Sequence, residues 1–448
     1  MSFVLRQKFS FLIIIAMFVC FDAQAKLFNA HSFVLDNGLE VVVVPNHRAP
    51  IIKQMLWYKT GSTNEKIGKG GSAHLLEHLM FRGTKKIKGQ EFNRLMEENG
   101  AESNAFTSLD VTSYHQLLDI SRLELAMFLE ADRMINLQVS DNDFVLERDI
   151  VFQERKQRID NNPLAKFGEE VRRVLWQDSP YGRPVTGTEK EILNLSKADV
   201  EEYYQKYYTP QQAILVLSGD IDVATAKRLA EKYYGNILSK DKSCELQKFP
   251  QLKNSRSRVE LTLPDVQTPR FLNVFATSSY NWASDKVYPL QVLAAYMGDG
   301  ETSKLYKKLV LQQKKALSIN VDYNPLSNSY GTFTISAIPA SGVSVNELEN
   351  SLKKAWEDAL EEMSFDELQK TKQKMLAGLV YLRDNPEDAA YIVGAMRSVG
   401  VKLEDIENQA DKIRAVDYRD IKDAASEMIS SAPQIVGILY PGENLNAQ

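Results

Sequence analysis

Ile192-Leu193-Asn194-Leu195-Ser196-Lys197-Ala198-Asp199-Val200 returns 221 residues later as Ile413-Arg414-Ala415-Val416-Asp417-Tyr418-Arg419-Asp420-Ile421. In each copy a residue suited to cap a helix, Ser196 or Asp417, is followed three positions on by an acid, Asp199 or Asp420. That spacing predicts a helix start, because the first turn leaves backbone N–H groups that such side chains can accept from. An amphipathic stretch follows, then Pro210 or Pro433. An apolar run comes next, Ala213 to Leu217 or Ile435 to Leu439, and ends near Gly219 or Gly442. These runs read as strands.

Two further pairings keep the same order. Ser140 to Pro163 is long, charged and free of proline until it closes on Asp160-Asn161-Asn162-Pro163, and Ser364 to Pro386 closes on Asp384-Asn385-Pro386. Both predict helices. Ala73 to Met80 pairs with Leu290 to Met297, each apolar at helical period. The repeats imply a duplicated chain. The joint falls in Ser239 to Ser257, which is rich in Lys, Ser and Gln, contains Pro250 and has little apolar periodicity. Strand signals at Glu40 to Val44, Ile51 to Tyr58, Phe271 to Ala276 and Tyr330 to Ile338 mix with helical stretches in both halves. The expected fold is therefore α+β, two homologous layered domains. Their bounds are 26–238 and 258–448, with a linker at 239–257.

The 448 residues are 44% hydrophobic and 25% charged, a globular composition too long for one ordinary core. A formal net charge of −5 without a basic stripe offers nucleic acid no footprint. Residues 1–25 read as a secretory signal peptide, with Arg6 and Lys8, an apolar run from Phe9 to Phe21, and Ala23-Gln24-Ala25. The run has 13 residues, short of the ~20 that span a bilayer, so export to the periplasm or beyond is expected without a stable membrane anchor. Met17-Phe18-Val19 before Cys20 does not resemble a lipobox. Cleavage after Ala25 leaves Cys244 alone, so no internal disulfide is expected.

Of five histidines, His74 and His78 sit four apart with Glu77 between them in His74-Leu75-Leu76-Glu77-His78. On a helix these positions share a face, so both imidazoles can reach one ion. This is the inverted arrangement H-x-x-E-H. Glu77, adjacent to both, suits a general base acting on a metal-activated water. The competing reading is a core helix with two satisfied histidines, although a glutamate beside them is costly to bury without a metal. A third ligand is needed. Glu154 is the best candidate, 76 residues beyond His78 on the second long helical stretch, and Glu147 lies two turns earlier on the same face. Spacing alone does not choose Glu154 over other acids. Two imidazoles and one carboxylate favour zinc. His31, His47 and His115 read as structural or exposed. Asp110, Thr112 and Tyr114 read as one face of a strand, and Tyr203-Tyr204 and Tyr207-Tyr208 as helix packing.

Taken together, His74-x-x-Glu77-His78, Glu147-(x6)-Glu154, Asn104-Ala105-Phe106-Thr107 and the duplication resemble the pitrilysin (insulinase-like, M16) family of zinc peptidases across nearly the whole mature chain. The resemblance implies zinc on His74, His78 and Glu154, with Glu77 as base and Glu147 standing behind a ligand. It also implies that Asn104 and Ala105 offer backbone groups to an extended peptide. In the second half Gln291, Ala294 and Ala295 align with His74, Glu77 and His78, and Gly378 falls opposite Glu154, so that copy holds no metal. The family's metal-free half often supplies an Arg and a Tyr seven residues apart. Here Val310 and Leu317 stand there, and neither can donate a hydrogen bond. The expectation is a zinc endopeptidase that works with a related chain carrying the Arg/Tyr pair. The alternative is a non-catalytic scaffold or interaction subunit on the same fold. A mitochondrial processing peptidase subunit fits less well, since a transit peptide would be amphipathic and rich in Arg and Ser.

Overall fold

Ser196 caps a helix over Lys197–Tyr207, and Asp417 caps one over Tyr418–Ser431. In both, the acid three residues on accepts the cap residue's N–H at 2.8 Å, from Ser196 to Asp199 and from Asp417 to Asp420. The repeat is thus a reciprocal capping box used twice. The computed structural model describes residues 26–238, 249 and 251–442. The leader at 1–25, Cys20, Cys244 and most of the expected linker lie outside the described residues. Arg256 and Ser257, the last two positions of that linker, already belong to a strand.

The first sheet contains β1 (His31–Val34), β2 (Glu40–Pro45), β3 (Ile51–Tyr58), β4 (Glu102–Thr107), β5 (Thr112–Asp119) and β6 (Ala213–Gly219), in the order β1-β2-β6-β3-β5-β4. The second contains β7 (Arg256–Leu263), β8 (Arg270–Thr277), β9 (Ala316–Asn324), β10 (Gly331–Pro339) and β11 (Gln434–Pro441), in the order β7-β11-β8-β10-β9. Each has one parallel pair, β2 with β6 and β7 with β11, and antiparallel neighbours otherwise. Set β2 against β7 and the two orders coincide, with β1 as an addition to the first. The chain is therefore two like α+β domains. Every residue of β6 is buried, because helices cover both faces of this inner strand and an unbroken apolar run suits it.

Each half lends a helix to the other. Pro163–Trp176 lays Phe167, Val171 and Leu175 against Val274, Ile435 and Leu439 of the second sheet. Pro386–Ser398 lays Ala389, Ala390 and Val393 against Val42, Met55 and Val216 of the first. Both crossed helices open on Asn-Pro. Asn162 and Asn385 accept from first-turn N–H groups, and the proline that follows has no N–H to leave unpaired. The crossings are close. A Cβ on Gly394 would sit 2.1 Å from Trp57 Nε1, and one on Gly437 2.7 Å from Phe167. Ion pairs Lys53–Glu387 at 2.6 Å and Arg397–Glu40 at 2.7 Å also join the halves.

One strand assignment is corrected. Asp110 precedes β5, in the turn after β4, because its buried carboxylate accepts from Tyr181 Oη at 2.7 Å and from Asn328 N at 3.2 Å. Tyr203, Tyr204, Tyr207 and Tyr208 pack into the first core. His31 is exposed on β1, and His47 pairs with Asp220 at the surface. Among the described residues no helix is long and apolar enough to cross a membrane.

Candidate metal centre

Ser72–Leu79 is a helix whose Ala73, Leu75, Leu76 and Leu79 are buried in the first core, which fixes the opposite face toward the neighbouring helix. Its start is shaped by Glu65, a buried carboxylate that accepts from Gly71 N at 3.1 Å and Ala73 N at 2.8 Å. Burial raises Glu65 to about 8, while the two N–H groups it accepts from, otherwise free at that helix end, hold it back. Gly71 itself takes φ 91°, where a side chain would be strained.

The face away from the core presents His74 and His78, with ring centroids 4.9 Å apart. The helix Asp141–Arg155, capped by Ser140, crosses beside it and brings Glu154 up to both. Nε2 of His74 and His78 lie 3.8 and 3.4 Å from Glu154 Oε2. One ligand atom from each of the three falls within 4.8 Å of the others. Glu147, two turns earlier, accepts from His78 Nδ1 at 2.9 Å and is held on its other oxygen by Arg82. Glu77 points to the free edge of the sheet, where Thr107 Oγ1 donates to its Oε2 at 2.6 Å. Asn104 and Ala105 lie on β4, which pairs with β5 on one side and ends the sheet on the other.

The charges follow from this packing. Burial, with His78 beside it, drives His74 down to about 4, so its ring is neutral at neutral pH. Burial also opposes charge on His78, yet its bonds to Glu147 and Glu154 overcome that and raise it to about 9. Glu154 is held low by His78. Glu147 is kept ionised, against burial, by His78 and Arg82. Burial pushes Glu77 up, and the Thr107 bond restrains the rise. The donor set fits zinc. Two imidazole nitrogens and a carboxylate oxygen converge, and Glu147 behind His78 Nδ1 would leave Nε2 free to take an ion.

Thr107, Arg82, Arg158 and Glu65 were not singled out from the sequence. Arg82 follows His78 by four residues, and Arg158 follows Glu154 by four and pairs with it at 2.7 Å, so helical spacing was a usable signal for both. In the second half, Val287–Gly298 occupies the place of the histidine helix and is buried almost all round. It carries Gln291, Ala294 and Ala295. Gly378 lies on Phe365–Asp384. Val310 is half-buried against the second core, and Leu317 is exposed on β9.

The fold and this donor set define a duplicated α+β chain with, among the described residues, a His/His/Glu metal-type site in its first half. The family model described as Insulinase (Peptidase family M16) matches residues 40–189, and that of the Peptidase M16 inactive domain matches 194–375. The chain belongs to peptidase family M16. It is 29% identical to Zinc protease PqqE of Helicobacter pylori over 319 residues, 68% of this chain and 69% of that protein. It is 25% identical to the Mitochondrial-processing peptidase subunit beta of Lentinula edodes over 413 residues, 88% of this chain and 86% of that one. The solved structure of a protease from Helicobacter pylori superposes with a TM-score of 0.85 at 25% identity, covering 92% of this chain and 99% of that chain.

Proposed function

We propose that this chain is a zinc-dependent endopeptidase acting on peptides or unfolded segments. The observation that carries the reading is the meeting of His74, His78 and Glu154 from two helices, with Glu77 beside them at an open sheet edge. His74, His78 and Glu154 would hold the ion, which supplies Lewis-acid polarisation when bound. Glu77 Oε1 takes the proton of the attacking water and returns it to the leaving amine, while Oε2 stays on Thr107. Glu147 and Arg82 keep His78 from turning. The free edge of β4 at Asn104 and Ala105 would bind an extended peptide as an added strand, the peptide displacing Asn104 Oδ1, which accepts from Ala105 N at 2.8 Å, and this would fix its scissile bond relative to Glu77.

Val310 and Leu317 offer no hydrogen bond to a developing oxyanion, and loss of one such donor costs roughly 10²–10³ in rate. That supports a working unit in which a related chain, lacking the zinc motif but carrying an Arg and a Tyr, completes the site. The same absence is what favours the second reading, a non-catalytic subunit. The leader pattern at 1–25 supports export to the periplasm or secretion. The test is cleavage of a broad peptide mixture by the zinc-loaded chain, alone and with such a partner, against Glu77→Gln. Activity that rises with the partner and vanishes in the variant supports the peptidase. Stoichiometric zinc without cleavage in either setting favours the subunit reading.

A further inference from the structure

Beyond the end of β4 a cavity of about 490 Å³ opens between the halves. Phe106 and Thr107 form its near wall, and they face opposite ways. Thr107 turns to Glu77, whereas Phe106 packs on Trp57 at 5.4 Å and on Tyr391 at 5.9 Å. A peptide added to β4 alternates its side chains in the same manner, one set toward the histidines and the other toward this cavity. The crossed helix Pro163–Trp176 supplies the far wall through Arg172 and Trp176.

Arg172 is the distinctive group there. Among the described residues it makes no ion pair or hydrogen bond. The acids on its own helix are taken, Glu169 by Arg155 at 3.0 Å and Glu170 by Arg173 at 2.6 Å. Asp110, also in the wall, is occupied by Tyr181 and Asn328 and has no open oxygen for a cation. Burial holds the guanidinium below its usual range, with only Glu169 opposing. A half-buried guanidinium at a cavity wall, with no acid in ion-pair reach among the described residues, can accept an anion of the right size.

We propose that this cavity is a specificity pocket for a substrate residue bearing a carboxylate, recognised by Arg172. The carboxylate is either an acidic side chain or the C-terminus of the peptide. The proposal rests on the peptidase reading for taking the ligand to be a peptide.

Zinc-loaded Glu77→Gln protein, which holds peptides without turning them over, provides the test. Trp57 and Trp176 line the cavity, so binding is followed by tryptophan fluorescence. The probes are acetylated, amidated decapeptides with Glu placed at each position in turn, their Gln and Lys counterparts, and the Gln peptide with a free C-terminal carboxylate. At one position Glu is expected to bind about tenfold tighter than Gln, as a charged hydrogen bond in a partly dry site would give. If only the free acid gains, the carboxylate is the C-terminus, which also supports the pocket. Arg172→Met should bring Glu and Gln within about twofold, Arg172→Lys should retain part of the preference, and Arg172→Glu should turn it toward Lys. Equal binding of all peptides, no binding, or a preference that survives Arg172→Met overturns the proposal. Cleavage by the unsubstituted chain is scored separately, so peptides that are cut without regard to charge would sink the pocket and leave the peptidase standing.

Discussion

Thr107 Oγ1 donates to Glu77 Oε2 at 2.6 Å, and this bond ties the carboxylate beside the histidines to the last residue of the free edge strand. The strand that would hold a peptide and the group that would move its proton are therefore one mechanical unit. The bond favours the ionised form of Glu77, against burial, which raises its pKa. Thr107→Val should raise it further. A general base works only when deprotonated, so the acid limb of the kcat/KM profile should move to higher pH, with kcat at neutral pH falling roughly tenfold. A profile superimposable on the parent would refute the role given to Thr107.

Glu147 acts on the ion only through His78. Glu147→Gln keeps the side chain's shape and should weaken zinc binding by roughly 10–100-fold, measured by competition with a chromogenic chelator. Glu154→Gln should cost more, because a neutral amide oxygen replaces an ionised ligand. Glu77→Gln should leave zinc stoichiometry intact while activity disappears.

Zinc uptake should release close to one proton at pH 7. His74, held down at about 4, is already neutral, whereas His78, raised to about 9, must give up its proton to bind through Nε2. With a folded pKa above the ordinary 6.5, the charged His78 stabilises the metal-free chain fully below about 6.5 and loses that effect as pH rises through about 9. Apparent zinc affinity should therefore climb across that window. Calorimetry in buffers of different ionisation enthalpy counts the protons, and two at pH 7 would contradict the assignment.

The crossed helices depend on absent side chains. A Cβ on Gly394 would come within 2.1 Å of the buried Trp57 indole, so Gly394→Ala should cost about 1–3 kcal/mol through overpacking. Chemical denaturation gives the cost, and a shift in Trp57 emission would report its local origin. A variant as stable as the parent would mean that the helix slides freely over the first sheet.

What could be read in advance was local. Capping boxes at Ser196 and Asp417, the apolar runs of β6 and β11, and two histidines one helical turn apart all follow from backbone geometry over a few residues, so the duplication and half of the metal site were legible. Glu154 was one acid among many until the helix carrying it packed across His74 and His78. Thr107 has no role that its own stretch reveals, because its partner Glu77 is thirty residues away. Asp110 read as strand because alternation looked sufficient, and contacts to Tyr181 and Asn328, from both halves, made it a turn. The sequence by itself determined which segments become helices and strands and that they occur twice. Only the tertiary structure decided that each half covers the other's sheet, which acid meets the histidines and that Arg172 makes no ion pair or hydrogen bond among the described residues, since those depend on long-range burial that no local spacing encodes.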